Sequence, residues 1–399
     1  MNKQTIIGIL IVLCTGINFY SSAQWVAKNS IPGVAAQRDG AVSWVIGSKC
    51  YVVGGNGHDD LMEYDPANDH WTARASIPQG ITMFGMGFVC NGKGYLCGGN
   101  GPNFTYYQSL WEYDPDFNQW TQRKDFPAGK RASGCAFSIG DKGYVGCGDD
   151  STYIYSDFYK YDPLTDDWYP MPAFAGGYRS FPYAFSIGDK GFIGGGWQLT
   201  ELNDLWQYDT LSNAWIQRSS LPGDPRECAA SFSSGEYGYV GLGQAGFSTT
   251  FDDMYKFDPI GNSWSPLPVF AVGGRAWPTG FAYGSSIYIT TGWDFSTFYN
   301  DLYQLDFSTG INSDPESSAY FNAYFRQGKI VVDYKNKNNE PAQISLIDMQ
   351  GRIVKTIHLK NEGNDAGLIF LETEGINSGI YILNFQMGNT NATCKLSVY

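Results

Sequence analysis

The segment Tyr113–Pro127 reads YDPDFNQWTQRKDFP, and similar phrases recur along most of the chain. An aromatic residue and Asp open the phrase, Asn stands two positions before a tryptophan, and proline ends it. The Asp-Pro pair ends a strand and begins a turn, Asn tolerates the left-handed conformation that closes such a turn, and proline stops the next strand. The phrase therefore predicts a hairpin of two β-strands.

The hairpin belongs to a longer repeat. The tryptophans recur at intervals of 46, 49, 48, 47 and 49 residues, at Trp25, Trp71, Trp120, Trp168, Trp215 and Trp264. Two-residue turns that suit a second hairpin recur in register at Gly47-Ser48, Asn91-Gly92, Gly140-Asp141, Gly188-Asp189, Gly235-Glu236 and Gly284-Ser285. Because an aromatic strand ending in glycine follows each turn, one repeat is four strands, the unit of a propeller blade.

The spaced Trp, Tyr-Asp and Gly-Gly signals over about residues 25–308 resemble the kelch repeat. The last repeat reaches Leu305-Asp306 without its tryptophan, whereas Trp25 precedes the first repeat. We therefore predict an all-β fold, with a six-bladed kelch-type propeller over residues 24–308. Residues 24–32 should supply the outermost strand of the sixth blade.

The two ends of the chain carry export signals. Lys3, the apolar run Ile6–Leu13 and the small residues before Gln24 predict a secretory signal peptide over residues 1–23. Residues 309–318 are polar and predict a linker, after which alternating strands predict a small β-sandwich. Within residues 319–399, the phrases Ile344–Val354, Ser378–Tyr381 and Lys395–Tyr399 resemble the type A sorting domain of the type IX secretion system. This resemblance implies recognition by that machinery, passage through the periplasm, and a secreted or surface location.

Composition excludes several partners. The net charge of -13 argues against nucleic acid, no later apolar run is long enough to span a bilayer, and we expect a monomer. The cysteines after residue 23 lack C-x-x-C spacing, so we expect buried free thiols, although a Cys135–Cys147 contact across one hairpin stays open. Galactose oxidase is a kelch-type enzyme whose copper site needs several histidines. The propeller has only His58 and His70, on opposite faces, so we expect no metal and no cofactor.

Arginine recurs at the entry of the innermost strand in five of six repeats, at Arg38, Arg131, Arg179, Arg226 and Arg275. We expect these side chains at the channel mouth, where they either bind a ligand or brace neighbouring blades. Aromatic residues of the adjacent long loops, such as Trp197 and Trp293, suit the apolar face of a sugar. If the arginines bind a ligand, their charge predicts a preference for acidic sugars, with partial offset from Asp59, Asp60, Asp149, Asp150, Glu227 and Asp294.

Two functions follow from this pattern. The leading one is a secreted or surface-attached binding module for glycan or protein ligands at the arginine-lined mouth. The alternative is a sugar-processing enzyme resembling N-acetylneuraminate epimerase, a six-bladed kelch protein. That resemblance implies arginines on the sugar carboxylate and an acid that moves the ring proton, for which Glu227 and Glu201 are the candidates. The sequence does not decide whether the chain is an enzyme.

Overall fold

The computed structural model describes residues 25–33, 36–306, 319–326, 329–336, 342–348, 351–359, 366–372, 376, 379–387 and 390–398. These fall into two compact units, Ala23–Phe307 and a unit that contains Ser308–Tyr399. The signal-peptide prediction for residues 1–23 and the linker prediction for residues 309–318 lie outside the described residues.

Within residues 25–306, the described chain forms six four-stranded antiparallel sheets, the blades of a β-propeller. In each of the first five blades the strands follow one another outward in chain order, from the innermost strand to the outermost. Blades 1 to 3 comprise Val42–Ile46, Lys49–Val53, Leu61–Asp65 and His70–Arg74; Met86–Cys90, Lys93–Cys97, Leu110–Asp114 and Gln119–Arg123; and Cys135–Ile139, Lys142–Gly146, Phe158–Asp162 and Asp167–Met171.

The remaining blades repeat the pattern, and the fold class predicted from the repeats is confirmed. Blades 4 and 5 comprise Tyr183–Ile187, Lys190–Gly194, Leu205–Asp209 and Ala214–Arg218; and Ala230–Ser234, Tyr237–Gly241, Met254–Asp258 and Ser263–Pro266. Blade 6 comprises Thr279–Tyr283, Ser286–Thr290, Leu302–Asp306 and Trp25–Lys28. Two loops carry short hairpins, Asn100–Gly101 with Thr105–Tyr106, around the 3-10 turn Pro102–Phe104, and Gln244–Ala245 with Thr249–Thr250.

Blade 6 joins the two ends of the propeller. Trp25–Lys28 pairs antiparallel with Leu302–Asp306, so its outermost strand comes from the start of the repeat region. Trp25 also meets the ring of Phe270 edge-on at 4.9 Å, and its indole N–H donates to the carbonyl of Pro268 at 3.2 Å. The ring of blades is thereby closed by strand pairing and by side-chain contacts with blade 5.

The repeated aromatic residues tie each blade to its neighbour. In the outer hairpin of blade 2, Asn118 adopts a left-handed φ of 50°, and the Tyr113 hydroxyl donates to its side chain at 2.9 Å. Trp120 then donates its indole N–H to Ala75 of the preceding blade at 2.8 Å. The same indole bond to a carbonyl of the preceding blade recurs at Trp71, Trp168, Trp215, Trp264 and Trp25. The spaced tryptophan is therefore an inter-blade tether.

A closed ring of backbone hydrogen bonds surrounds the propeller axis. The residue two positions before each innermost strand adopts a left-handed φ between 49° and 62° and donates its N–H to the carbonyl of the equivalent residue in the preceding blade, at 2.7–3.3 Å. These residues are Gly40, Phe84, Ser133, Phe181, Cys228 and Trp277. Each backbone N–H and C=O in the ring is satisfied by another ring member.

Large and small residues alternate around this ring. The rings of Phe84, Phe181 and Trp277 lie 5.2–6.0 Å from one another and fill the axis. The small members Gly40, Ser133 and Cys228 make room, and a Cβ added at Gly40 would lie 2.5 Å from the Phe84 ring. The three rings form an aromatic plug across the channel.

The C-terminal unit consists of two antiparallel sheets. One holds Ala319–Arg326, Lys329–Asn336 and Ala366–Glu372, and the other holds Ile353–Leu359, Ala342–Asp348, Gly379–Met387 and Thr390–Val398. Asp348 closes a tight turn, because its carbonyl accepts the N–H of Gly351 and its side chain accepts the N–H of Arg352 at 2.9 Å. The described strands are those of a small β-sandwich.

The cysteines whose side chains are described are buried free thiols, as expected. Burial raises the pKa of Cys90 to about 12 and the pKa of Cys97 above that. A thiol with such a pKa is not ionised near neutral pH and packs as a small apolar group.

Candidate functional site

The five repeated arginines lie inside the propeller rather than on its surface. Each side chain is at most 1% exposed and forms a two-pronged ion pair with an aspartate that immediately precedes the third strand of its blade. The pairs are Arg38–Asp60, Arg131–Asp157, Arg179–Asp204, Arg226–Asp253 and Arg275–Asp301, and the Nη2–Oδ2 contacts measure 2.9–3.1 Å.

Each guanidinium also donates a hydrogen bond to the turn that follows the second strand of its blade, where the repeat has its Gly-Gly signal. Nη1 donates at 2.8–3.2 Å to the first carbonyl of the Gly-Gly position, at Gly54, Cys147, Gly195, Leu242 and Thr291. These residues have left-handed φ values of 56–63°, although three of them are not glycine. The left-handed backbone therefore directs each of these carbonyls toward the buried guanidinium. The charge-assisted hydrogen bond offsets the conformational strain of the non-glycine residues.

Of the two roles expected for the arginines, this geometry favours bracing, and it places the brace within each blade rather than between neighbouring blades. Their donors are directed to aspartates and carbonyls of their own blades, and burial leaves almost no surface for a ligand to reach. Of the acids expected to offset them, only Asp60 is an ion-pair partner. The missed partners were Asp157, Asp204, Asp253 and Asp301. A detectable signal existed, because an aspartate precedes the third strand in all five of these repeats.

Blade 2 replaces the ion pair with neutral groups. Thr82 occupies the position of the arginine, and Ser109 occupies that of the aspartate. Gln79 fills the space between them: its Nε2 donates to the Thr82 hydroxyl at 2.9 Å and its Oε1 accepts from Ser109 and from Trp111. The loss of both charges together supports a bracing role for the pair in the other blades.

A cavity of about 470 Å³ opens above the aromatic plug, between the loops of blades 3, 4 and 5. Phe181 and Trp277 of the plug form part of its wall. The residues that line it are Asp149, Ser151, Thr152, Tyr153, Ile154, Ser180, Phe181, Trp197, Glu201, Glu227, Gln244, Gly246, Phe247 and Trp277.

The cavity gathers some of the predicted site residues. Trp197, Glu201 and Glu227 line it together, while the five arginines do not. Trp293 is also absent from its wall and instead stacks 6.1 Å from Trp277 and 5.7 Å from Phe298. The sequence pattern missed Gln244, Phe181 and Trp277, and no motif in the chain singled them out.

The carboxyl groups of the wall are held by neighbours. Glu227 is 8% exposed and accepts Nε2 of Gln244 at 2.9 Å. Burial raises the pKa of the Glu227 carboxyl, and the nearby charge of Glu201 adds to the shift. Glu201 accepts the backbone N–H of Gly246 at 2.8 Å, and Asp149 accepts the Tyr106 hydroxyl at 2.8 Å. The wall is thus acidic, with its carboxyl groups fixed in place.

The histidines do not build a metal centre. Within the part of the chain that the structure describes, no group of three His, Cys, Asp or Glu side chains is arranged to hold a metal. His58 lies half-buried in its loop, with Nε2 3.3 Å from the Gln37 carbonyl, while His70 is exposed at the start of an outermost strand.

Comparisons with known proteins support the two-part organisation. Residues 326–399 match the family model described as a secretion system C-terminal sorting domain. A search of curated proteins found no match to the chain. Among solved structures, one described as the structure of YjhT aligns with a TM-score of 0.59 and 15% identity, over 76% of this chain and 99% of that one.

The structural likeness shows the fold, and the family match shows the export signal. No helix among the described residues is long and apolar enough to cross a membrane. The resemblances to a kelch-type propeller and to a sorting domain are confirmed. The chain is therefore a β-propeller followed by a type IX sorting domain, and the sorting domain indicates a secreted or cell-surface protein.

Proposed function

We propose that this secreted propeller binds a glycan in the cavity above its aromatic plug. The observation that carries the proposal is the composition of the cavity wall, where the rings of Trp197, Phe181 and Trp277 stand beside the carboxyl groups of Glu227 and Glu201. Aromatic faces pack against the C–H faces of sugars, and carboxylates accept hydrogen bonds from sugar hydroxyls. A cavity of this size falls within the range of small-molecule sites.

The charge of the wall sets the class of glycan. Three of the described wall residues carry carboxyl groups, and none is Lys, Arg or His. Arg179 and Arg226, the arginines of the blades that carry Glu201 and Glu227, are paired with Asp204 and Asp253. An acidic sugar would meet like charges without a compensating cation, so the proposal excludes the acidic-sugar preference that exposed arginines would have produced.

The test is binding by the full-length secreted chain. A glycan array followed by isothermal titration calorimetry should identify a sugar without carboxylates that binds with a dissociation constant in the millimolar range or below. Trp197→Ala should weaken that binding about tenfold or more, because it removes one stacking face. Tyr169→Ala is the matched control, since Tyr169 is an exposed aromatic residue of an outermost strand in blade 3. If both variants lose glycan affinity to the same extent, the cavity is not the binding site.

One observation favours the enzymatic alternative. Glu227 combines burial, a raised pKa and a place in the cavity wall, which are properties of a general acid or base. A sialic acid is disfavoured as the substrate, because the arginines that would bind its carboxylate are already paired with aspartates. Incubation of the protein with α-N-acetylneuraminate, followed by NMR of anomer exchange, separates the two functions. Exchange faster than in buffer, and lost in Glu227→Gln, would replace the binding proposal with the enzymatic one.

A further inference from the structure

One side chain of the cavity wall, Gln244, has a buried oxygen that accepts no hydrogen bond from the described residues. Gln244 is only 1% exposed, and its Nε2 is committed to the Glu227 carboxyl. Its Oε1 is buried and has no hydrogen-bond partner among the described residues. A buried carbonyl oxygen without a donor destabilises the protein, so the group favours a ligand that brings an N–H or O–H to it.

Charge narrows the choice of donor. Glu227, Glu201 and Asp149 line the same cavity, and the charge of Glu201 already disfavours the ionised form of Glu227. A neutral donor would satisfy Gln244 but leave this repulsion in place. A cation would satisfy the oxygen and offset the carboxylates together.

The remaining wall also suits a cation. The rings of Trp197, Trp277 and Phe181 border the acidic groups. The faces of such rings attract ammonium groups, most strongly where water is excluded. Aromatic rings, fixed carboxylates and an unpartnered buried oxygen therefore meet in one cavity.

We propose that the cavity selects a sugar carrying a protonated primary amine, with the ammonium group bound between Glu227 and the Oε1 of Gln244. The inference rests on the proposed glycan-binding function and specifies its ligand class. The sugar ring packs on Trp197, and Glu201 and Asp149 supply the surrounding negative charge.

The experiment compares matched sugars on the full-length protein. Glucosamine, N-acetylglucosamine and glucose share a ring and differ in the substituent at C2, which carries a charge only in glucosamine. Calorimetry should show glucosamine binding at least about tenfold more tightly than either neutral sugar, because a charge-assisted bond replaces a neutral one. Added salt should reduce this preference. Glu227→Gln should bring the three affinities together, and Asp141→Asn, which removes a carboxylate from an exposed turn, should leave the preference intact.

The outcomes separate this inference from the function on which it rests. Equal affinities for the three sugars in the unaltered protein would overturn the amine preference and leave glycan binding standing. A preference that survives in Glu227→Gln would overturn the assigned position of the ammonium group. If no sugar of the array binds, both proposals fail. If the Glu227→Gln variant does not fold, as shown by the absence of a thermal unfolding transition, Glu201→Gln provides the second test. That variant should also reduce the preference for glucosamine over the neutral sugars.

Discussion

Replacing Arg179 by Met tests whether the repeated arginines brace the fold. The guanidinium makes bonds of 2.7 and 3.0 Å with Asp204 and one of 3.0 Å with the Gly195 carbonyl. It also lies 4.6 Å above the Phe174 ring. Methionine keeps much of the apolar volume but leaves the partly buried Asp204 with only the indole N–H of Trp206. Breaking a buried pair in this way costs about 3 to 5 kcal/mol of unfolding free energy.

The assay is thermal and urea unfolding of the full-length chain. For a domain of this size, we expect the melting temperature to fall by roughly 5 to 8 °C. The double variant Arg179→Met with Asp204→Asn should recover part of the loss, because no uncompensated charge remains. If the melting temperature stays within about 1 °C of the unaltered protein and glycan binding is lost, Arg179 does not stabilise the fold and instead contacts the ligand.

The neutral arrangement of blade 2 suggests substitutions in blade 4 that should restore the stability lost when Arg179 is replaced. Gln79, Thr82 and Ser109 of blade 2 correspond to positions 176, 179 and 204 of blade 4. Arg179→Thr alone should destabilise strongly. A Cβ at position 176 would lie 2.7 Å from the Phe174 ring, whose place in blade 2 is taken by Ile77. Adding Gly176→Gln, Asp204→Ser and Phe174→Ile together should restore stability, because Trp206 can then donate to the new amide as Trp111 does in blade 2.

Three further predictions concern other parts of the chain. Trp25→Ala should cost roughly 3 kcal/mol, measured by urea unfolding, because it removes the contact with Phe270, whereas Val26→Ala on the same strand should be nearly neutral because Val26 is exposed. Burial raises the pKa of Asp39 to about 6, so its ionisation opposes folding as pH rises from about 4 to 6. Asp39→Asn should therefore add up to about 3 kcal/mol of stability at pH 8 and little below pH 4, and an equal gain at both pH values would contradict this sign. A chain ending at Asp314 should accumulate in the periplasm, as measured by immunoblotting of cell fractions, because it lacks the matched sorting domain; release at the full-length rate would show that the domain is dispensable.

The fold could be predicted because each repeat carries its own local signals. The outer turns need an Asx residue in a left-handed conformation, and the inter-blade tether needs an indole N–H, so both leave a constant spacing in the sequence. The pairing of Trp25–Lys28 with Leu302–Asp306 agrees with the incomplete last repeat. Such features depend on residues close together in the chain or on a fixed period.

The site was less predictable because its contacts depend on loops of differing length. The acceptor of Arg38 lies 22 residues along the chain, and that of Arg226 lies 27 residues along it. The arginine positions alone do not distinguish these guanidinium groups from ligand-binding ones, and only the aspartate before each third strand points to their pairing. Glu227 was selected beside Arg226, yet its neighbours in space, Gln244 and Trp277, come from a loop hairpin and from the next blade.

The six hydrogen bonds around the axis have an electrostatic consequence. All six N–H groups point the same way around a closed circle, so the components of their dipoles within the plane of the ring cancel one another. A helix end, by contrast, sums its peptide dipoles into a partial charge that attracts ions. The ring therefore does not gather a partial charge at one side of the propeller mouth, as a helix end would. Which charge enters the cavity is left to the side chains on its wall, and a change at Glu227 or Glu201 can alter that selectivity without disturbing the circle beneath.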